Sequence, residues 1–225
     1  MKLQSNLTNM AIVLTSISLL AAVALGAVYS VTEKPIEEAQ KAKAQDAIEA
    51  VMPGFARLDE PELVEVENVG ELAVHRAYDS EGNFIGAAVE TISKSGFNGE
   101  IRLMVGFDKS GAITNYSVLD QKETPGLGTK MTDWFKPQGA ASRSLVETIF
   151  GFEVKSEARN SSVIGLNPAT DNLTVAKDGG EIDGITAATI SSRAFLGAIA
   201  NAYAAYANNT DYKPDATSGA TGTSE

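Results

Sequence analysis

Two short strings in this chain combine residue types that could do chemistry. The first is Asp183-Gly-Ile-Thr-Ala-Ala-Thr-Ile-Ser-Ser-Arg193, where hydroxyls gather just ahead of a longer apolar pattern. Phe195, Leu196, Ile199, Ala202, Tyr203 and Tyr206 recur at helical spacing and predict a helix that opens near residues 186–189. Hydroxyls at a helix N-terminus lie beside N–H groups without intrahelical partners and beside the positive end of the macrodipole, which suits a phosphate. The same residues also suit plain capping, with Thr186 as N-cap and Asp183 complementing the dipole. The second string is Glu123-Thr-Pro-Gly-Leu-Gly128, in which Pro125-Gly126 fits the centre of a type II turn because proline fixes the first φ and glycine accepts the positive one. Taken alone, it is a loop between two elements.

Together the strings carry a resemblance. Asp183-x-x-Thr186-Ala187-Ala188-Thr189 is similar to the signature of FMN-binding domains that hold flavin through a phosphoester to the final threonine. Glu123-Thr124-Pro125-Gly126-Leu127-Gly128 matches a second signature of the same family, in a loop that lies against the flavin. The chain resembles the G subunit of Rnf electron-transport complexes and its sibling, the C subunit of sodium-pumping NADH:quinone oxidoreductase. The resemblance implies covalent FMN on Thr189, with Thr186, Ala188 and Ile185 around it. It also implies that Leu127 packs on the isoalloxazine, that Glu123, Thr124 or the amides of Gly126 and Gly128 hydrogen-bond it, and that Asp183 serves attachment by a flavin transferase using FAD and Mg²⁺. Ala187 stands where the family often has Gly, a change expected to be tolerated unless that backbone needs a positive φ. A second copy of the pattern, Asp215-Ala-Thr-Ser-Gly-Ala-Thr221, makes Thr221 a secondary candidate acceptor, although no apolar segment follows it to hold a ring.

Composition narrows the alternatives. With no cysteine and a single histidine, His75, the chain lacks the material for thiol catalysis, cysteine-ligated clusters or a multi-histidine zinc site, so no metal ligands and no catalytic residues are expected. Redox chemistry would need an organic cofactor. A net charge of -11 argues against nucleic acid as a partner.

The elements that must position these strings are visible in the pattern. No charge occurs between Lys2 and Glu33, and Met10–Val28 is long enough to cross the ~30 Å hydrocarbon layer as a helix. The run exceeds the ~7–15 residues of a signal-peptide core, so an uncleaved anchor is expected, with Ala22-Val23-Ala24 the alternative cleavage site. Residues 33–52 predict a juxtamembrane helix with Pro35 in its first turn, stopped by Pro53-Gly54. Residues 72–79, 84–93, 101–108 and 112–120 predict an antiparallel meander with some strands covered on both faces. Trp134-Phe135 suit either a pocket wall or the core, and a helix is expected over 140–150.

The expected architecture is therefore α+β: an N-terminal anchor (1–32), the juxtamembrane helix (33–54), an FMN-binding domain (55–207) with an antiparallel sheet and flanking helices, and a disordered tail (208–225). The resemblance implies a single-pass protein of the bacterial inner membrane with its main domain on the extracytoplasmic side. Its partners would be the other subunits of a redox complex that couples ferredoxin and NAD chemistry to Na⁺ or H⁺ pumping, the flavin transferase, and lipid around the N-terminal helix. A stand-alone extracytoplasmic flavin carrier, the quinone-reductase sibling and a non-redox anchored binding domain are the alternatives. The resemblance implies an electron-carrying subunit of an ion-translocating oxidoreductase, and assigns no activity to the isolated chain.

Overall fold

The computed structural model describes residues 6–137 and 160–209. The predicted helix at 140–150, most of the tail and Thr221 lie outside the described residues. The chain divides into two units, Met1–Gln45 and Asp46–Glu225.

Helix α1 spans Leu7–Val51, and its N-terminal part presents exposed apolar side chains such as Leu14, Leu20 and Leu25. By length and composition α1 can cross a membrane. The sequence predicted a separate helix from residue 33, but Pro35 lies inside α1. Proline removes one N–H donor and crowds the preceding turn. The Glu-, Ala-, Gln- and Lys-rich stretch that follows is made of strong helix formers and carries the helix past it.

The second unit is an antiparallel sheet with helix on both faces. Strands β1 (Arg57–Leu58), β2 (Glu62–Val66), β3 (Gly70–Tyr78), β4 (Phe84–Ser93), β5 (Ile101–Asp108) and β6 (Ile113–Gln121) run in the order β1-β3-β4-β5-β6, with β2 also paired to β3. The four strands of the predicted meander are β3 to β6. The short β1 and β2 had no comparable signal, because β1 has only two residues and β2 is mostly exposed.

One face of the sheet receives the last turns of α1. Ala47, Ile48, Val51 and Met52 pack with Ala77, Ala88 and Met104 in a small apolar cluster. The orphan carbonyls of the helix end find partners on β6, where Thr114 Oγ1 donates to the Val51 carbonyl at 2.5 Å and Asn115 Nδ2 to that of Ala50 at 2.9 Å. Gly106 permits this close approach, since a Cβ there would lie 2.4 Å from the Val51 oxygen.

The other face receives the last helix, α3 (Thr189–Asn209), after the one-turn α2 (Met131–Trp134). Phe195, Ala198, Ile199, Ala202, Ala205 and Tyr206 are buried in the main core. The alanines bring the helix backbone near β4, where Thr91 Oγ1 donates to the Ala198 carbonyl at 3.0 Å. Phe195 stacks on Phe135 with centroids 4.4 Å apart and meets Tyr116 edge-on at 4.8 Å. Such pairs contribute about 0.5–1.5 kcal/mol each beyond their burial, and here they fix the first half of α3 against β6 and α2. The start of α3 is thereby set at one end of the sheet, beside the loop that leaves β6.

Candidate functional site

The loop after β6 is a tight turn. Leu127 N–H donates to the Thr124 carbonyl at 3.1 Å, and Gly126 has φ 76°, so Pro125-Gly126 occupy the turn centre predicted for them. Glu123 is 4% exposed. Its carboxylate accepts from Ser191 Oγ at 2.7 Å and from the Asn98 N–H at 3.4 Å, while its own N–H donates to Gln121 Oε1 at 2.6 Å. Gly128 is wedged against this pair, since a Cβ there would lie 2.6 Å from Glu123 Oε2 and 2.7 Å from Ser191 Oγ. A buried carboxylate is costly unless hydrogen-bonded, and these contacts meet that requirement while tying the loop to α3.

The Asp183 string reaches the same place by another route. Asp183 is fastened from both sides: its carboxylate accepts from the Asn160 N–H at 2.8 Å, and its carbonyl accepts from Trp134 Nε1 at 2.8 Å. Ile185 is buried, and Thr186 is exposed in a turn ahead of the helix. Helix α3 starts at Thr189, which leaves Thr186 outside the N-cap position it was expected to fill. Ser192 performs the fastening from within the helix, where its Oγ accepts from the Ile185 N–H and donates to the Ala188 carbonyl, both at 2.9 Å. Ala187 has φ 63°, the left-handed conformation that glycine adopts without strain. The condition attached to the Gly-to-Ala departure is therefore met, and the turn is held by its surroundings with a residue that favours another conformation.

Both strings line one cleft of about 340 Å³, formed by Phe97, Glu123, Thr124, Leu127, Gly128, Ala187, Ala188, Thr189, Ile190 and Ser191. Glu123, Thr124, Leu127, Gly128, Ala188 and Thr189 are the predicted site residues found there. Asp183, Ile185 and Thr186 stand behind the cleft or outside it, and Thr221 lies outside the described residues. Trp134 and Phe135 are not among the lining residues: Phe135 is core, and Trp134 braces Asp183.

Several lining residues escaped the sequence reading. Phe97 is 62% exposed, Ile190 47% and Leu127 37%, so three large apolar side chains stand partly solvated around one opening. A large apolar residue set in a turn among glycines, as in Ser95-Gly-Phe-Asn-Gly99, is the signal that could have found Phe97. On the polar side, Lys177 Nζ donates to Thr189 Oγ1 at 3.3 Å. Arg193 makes a two-point ion pair with Asp178, at 2.7 and 2.6 Å, and these hydrogen bonds hold the Asp178 carboxyl below its usual range.

This donor set fits a flavin nucleotide. The cleft has the size of a small-ligand site, an apolar mouth that suits a planar ring, and a hydroxyl beside an ammonium at a helix start that suits a phosphoryl group. The family model described as the FMN-binding domain matches residues 96–204, which include β5, β6, both cleft strings and most of α3. Residues 96–204 are thus similar to the FMN-binding domain family.

Curated proteins match a larger share of the chain. The chain is 29% identical over 181 residues to the G subunit of the ion-translocating oxidoreductase complex of Vibrio cholerae serotype O1 (strain M66-2), covering 77% of this chain and 78% of that protein. It is 28% identical over 199 residues to the protein of the same name from Methanosarcina acetivorans, covering 87% and 92%. Among solved structures, Shewanella oneidensis NqrC aligns over 70% of this chain and 72% of its own, with a TM-score of 0.37 and 15% identity.

Proposed function

We propose that this protein is a membrane-tethered flavoprotein subunit of an ion-translocating oxidoreductase complex, with FMN joined to Thr189 through a phosphoester. The observation that carries the reading is the convergence of Thr189 and the Glu123–Gly128 loop on one apolar-mouthed cleft. When bound, the flavin supplies the electron chemistry, and the protein supplies position and surroundings. Leu127, Phe97 and Ile190 bound the ring and limit water at its edge. Glu123, held by Ser191, keeps the turn at Leu127 in place. Thr189, first residue of α3, offers its hydroxyl at the cleft wall, where a transferase can reach it before the ring docks.

Attachment is a group transfer without oxidation. Thr189 Oγ would supply the new bond to the flavin-side phosphorus of FAD in place of the anhydride P–O bond, with AMP as the leaving group and the hydroxyl proton released. Asp183 and the turn it fastens would present that hydroxyl during maturation. The names of the relatives support placement of the chain in a complex with other redox subunits. In that setting α1 would be a single membrane anchor, the second unit would lie on the extracytoplasmic side, and the complex would couple ferredoxin and NAD oxidoreduction to Na⁺ or H⁺ movement.

The test is intact mass and peptide mapping, after full denaturation, of protein produced with an active flavin transferase. An FMN-phosphoryl mass is expected on the peptide that contains Thr189, and Thr189→Val is expected to fold and to lack it. Flavin retained by the Thr189→Val protein on the peptide that contains Thr221 would move the attachment there. No linked flavin on either peptide would overturn the reading.

A further inference from the structure

Lys177 stands in neither of the two strings that define the cleft, yet the fold brings it to the hydroxyl that matters most. The segment ahead of α3 doubles back: Val175 bridges to Ile182, the Ala176 N–H donates to the Ile182 carbonyl at 2.8 Å, and a single 3-10 turn, Ala176–Asp178, ends at Gly179 with φ 85°. This closed loop carries Lys177 over the start of the helix, where its ammonium lies 3.3 Å from Thr189 Oγ1. Nothing about burial requires that position, since Lys177 is exposed. The nearby Arg193 is engaged at two points by Asp178. Asp178 also faces Lys177 as a charge, although no hydrogen bond joins the two.

An ammonium has donors only, so at a neutral hydroxyl it occupies a lone pair and gains little in water. A phosphodiester on the same oxygen changes the contact. It adds a negative charge and two further acceptor oxygens on the phosphorus bonded to that oxygen, and charge-assisted hydrogen bonds of that kind are about twice as strong as neutral ones. In a chain with 29 acidic and 18 basic residues, a lysine at this hydroxyl also offsets the surrounding negative potential that an incoming FAD would meet.

We propose that Lys177 is a positioning residue for the phosphoryl group. It stabilises the charge that builds on the phosphoryl oxygens while the bond to Thr189 Oγ forms, and it remains their ion partner in the mature protein. The lysine gives up and receives no proton in this role. The proposal rests on attachment at Thr189, and the test separates the two.

The experiment uses the full-length chain in detergent with purified flavin transferase, FAD and Mg²⁺, and compares Lys177→Met and Lys177→Arg with the parent protein. For Lys177→Met, kcat of flavinylation is expected to fall about tenfold with KM for the acceptor chain unchanged, as for an interaction made only in the transition state. Lys177→Arg should recover most of the rate. In the mature proteins the ³¹P resonance of the phosphodiester should shift in the Met variant and return toward its parental position in the Arg variant. An unchanged kcat in Lys177→Met, a loss confined to KM, or an Arg variant as slow as the Met variant would each overturn the role. Absence of flavin from the Thr189 peptide of the parent protein would instead remove the attachment reading on which it rests.

Discussion

The two sides of the cleft are built on different terms. On one side, Glu123, Gly128 and Ser191 are buried and interlocked, and each fills space that another residue leaves. On the other, Thr189 is half-buried, Lys177 and Ala187 are exposed, and the contact between lysine and threonine is a single long hydrogen bond. The residue types of the first side are explained by the protein alone. Those of the second are the ones that the proposed phosphoester would use. The attachment proposed above would call for this division, with a rigid wall to receive the ring and an accessible one to take the bond.

The contrast makes its largest claim at Gly128. A Cβ there meets the Cβ of Glu123 at 2.7 Å as well as its carboxylate, so the collision cannot be relieved by moving the carboxylate alone. Gly128→Ala is expected to cost about 3 kcal/mol, toward the upper end for overpacking, as a lowered midpoint in chemical denaturation. Thr189→Val, on the opposite wall, should leave that midpoint within about 0.5 kcal/mol, as most substitutions outside the packed core do, and remove flavin completely. A Gly128→Ala protein of parental stability would show that the first wall yields, and the distinction between the walls would fail.

Much of this division was open to a reader of the sequence. The partly alternating apolar runs of β3 to β6 read correctly because each strand has a covered face, and the turn at Pro125-Gly126 read correctly because turn chemistry is local and this pair admits few conformations. What could not be read was set by contacts distant along the chain. Ser191 bonds a carboxylate 68 residues away, and nothing near it announces that. Lys177 depends on a loop closed by one bridge. Thr186 has the residue type of an N-cap, but the turn at Ala187 delays the helix until Thr189, and Ser192 fastens the entry in its place. Pro35 predicted a helix start that its strong helix-forming neighbours override.

Ser191→Ala gives the next largest effect. It removes the hydroxyl that donates to Glu123 Oε2 and leaves a buried carboxylate short of a partner, which costs about 2 kcal/mol. Ser191→Ala combined with Glu123→Gln should be less destabilised than the two single losses added together, because the amide no longer carries a charge to be satisfied. Additive losses in that double-mutant cycle would mean that the two groups act separately and that the first wall is not an interlocked unit.

The smallest effect is the one of opposite sign. Ala187 at φ 63° occupies a conformation that disfavours an L side chain by about 1–2 kcal/mol. Glycine relieves this, but it also widens the unfolded ensemble, at a cost of about 0.4–1 kcal/mol. The difference leaves Ala187→Gly about 0.5 kcal/mol more stable, a rise of roughly 1–2 °C in Tm for a chain of this length. Flavinylation of Thr189 should proceed at the parental rate, because the turn keeps its shape and only its strain is removed. A lowered Tm would mean that the methyl of Ala187, a residue of the cleft lining, contributes packing that outweighs the strain. Ala187 would then belong with the interlocked wall, and the boundary between the two sides would run at Thr189 itself.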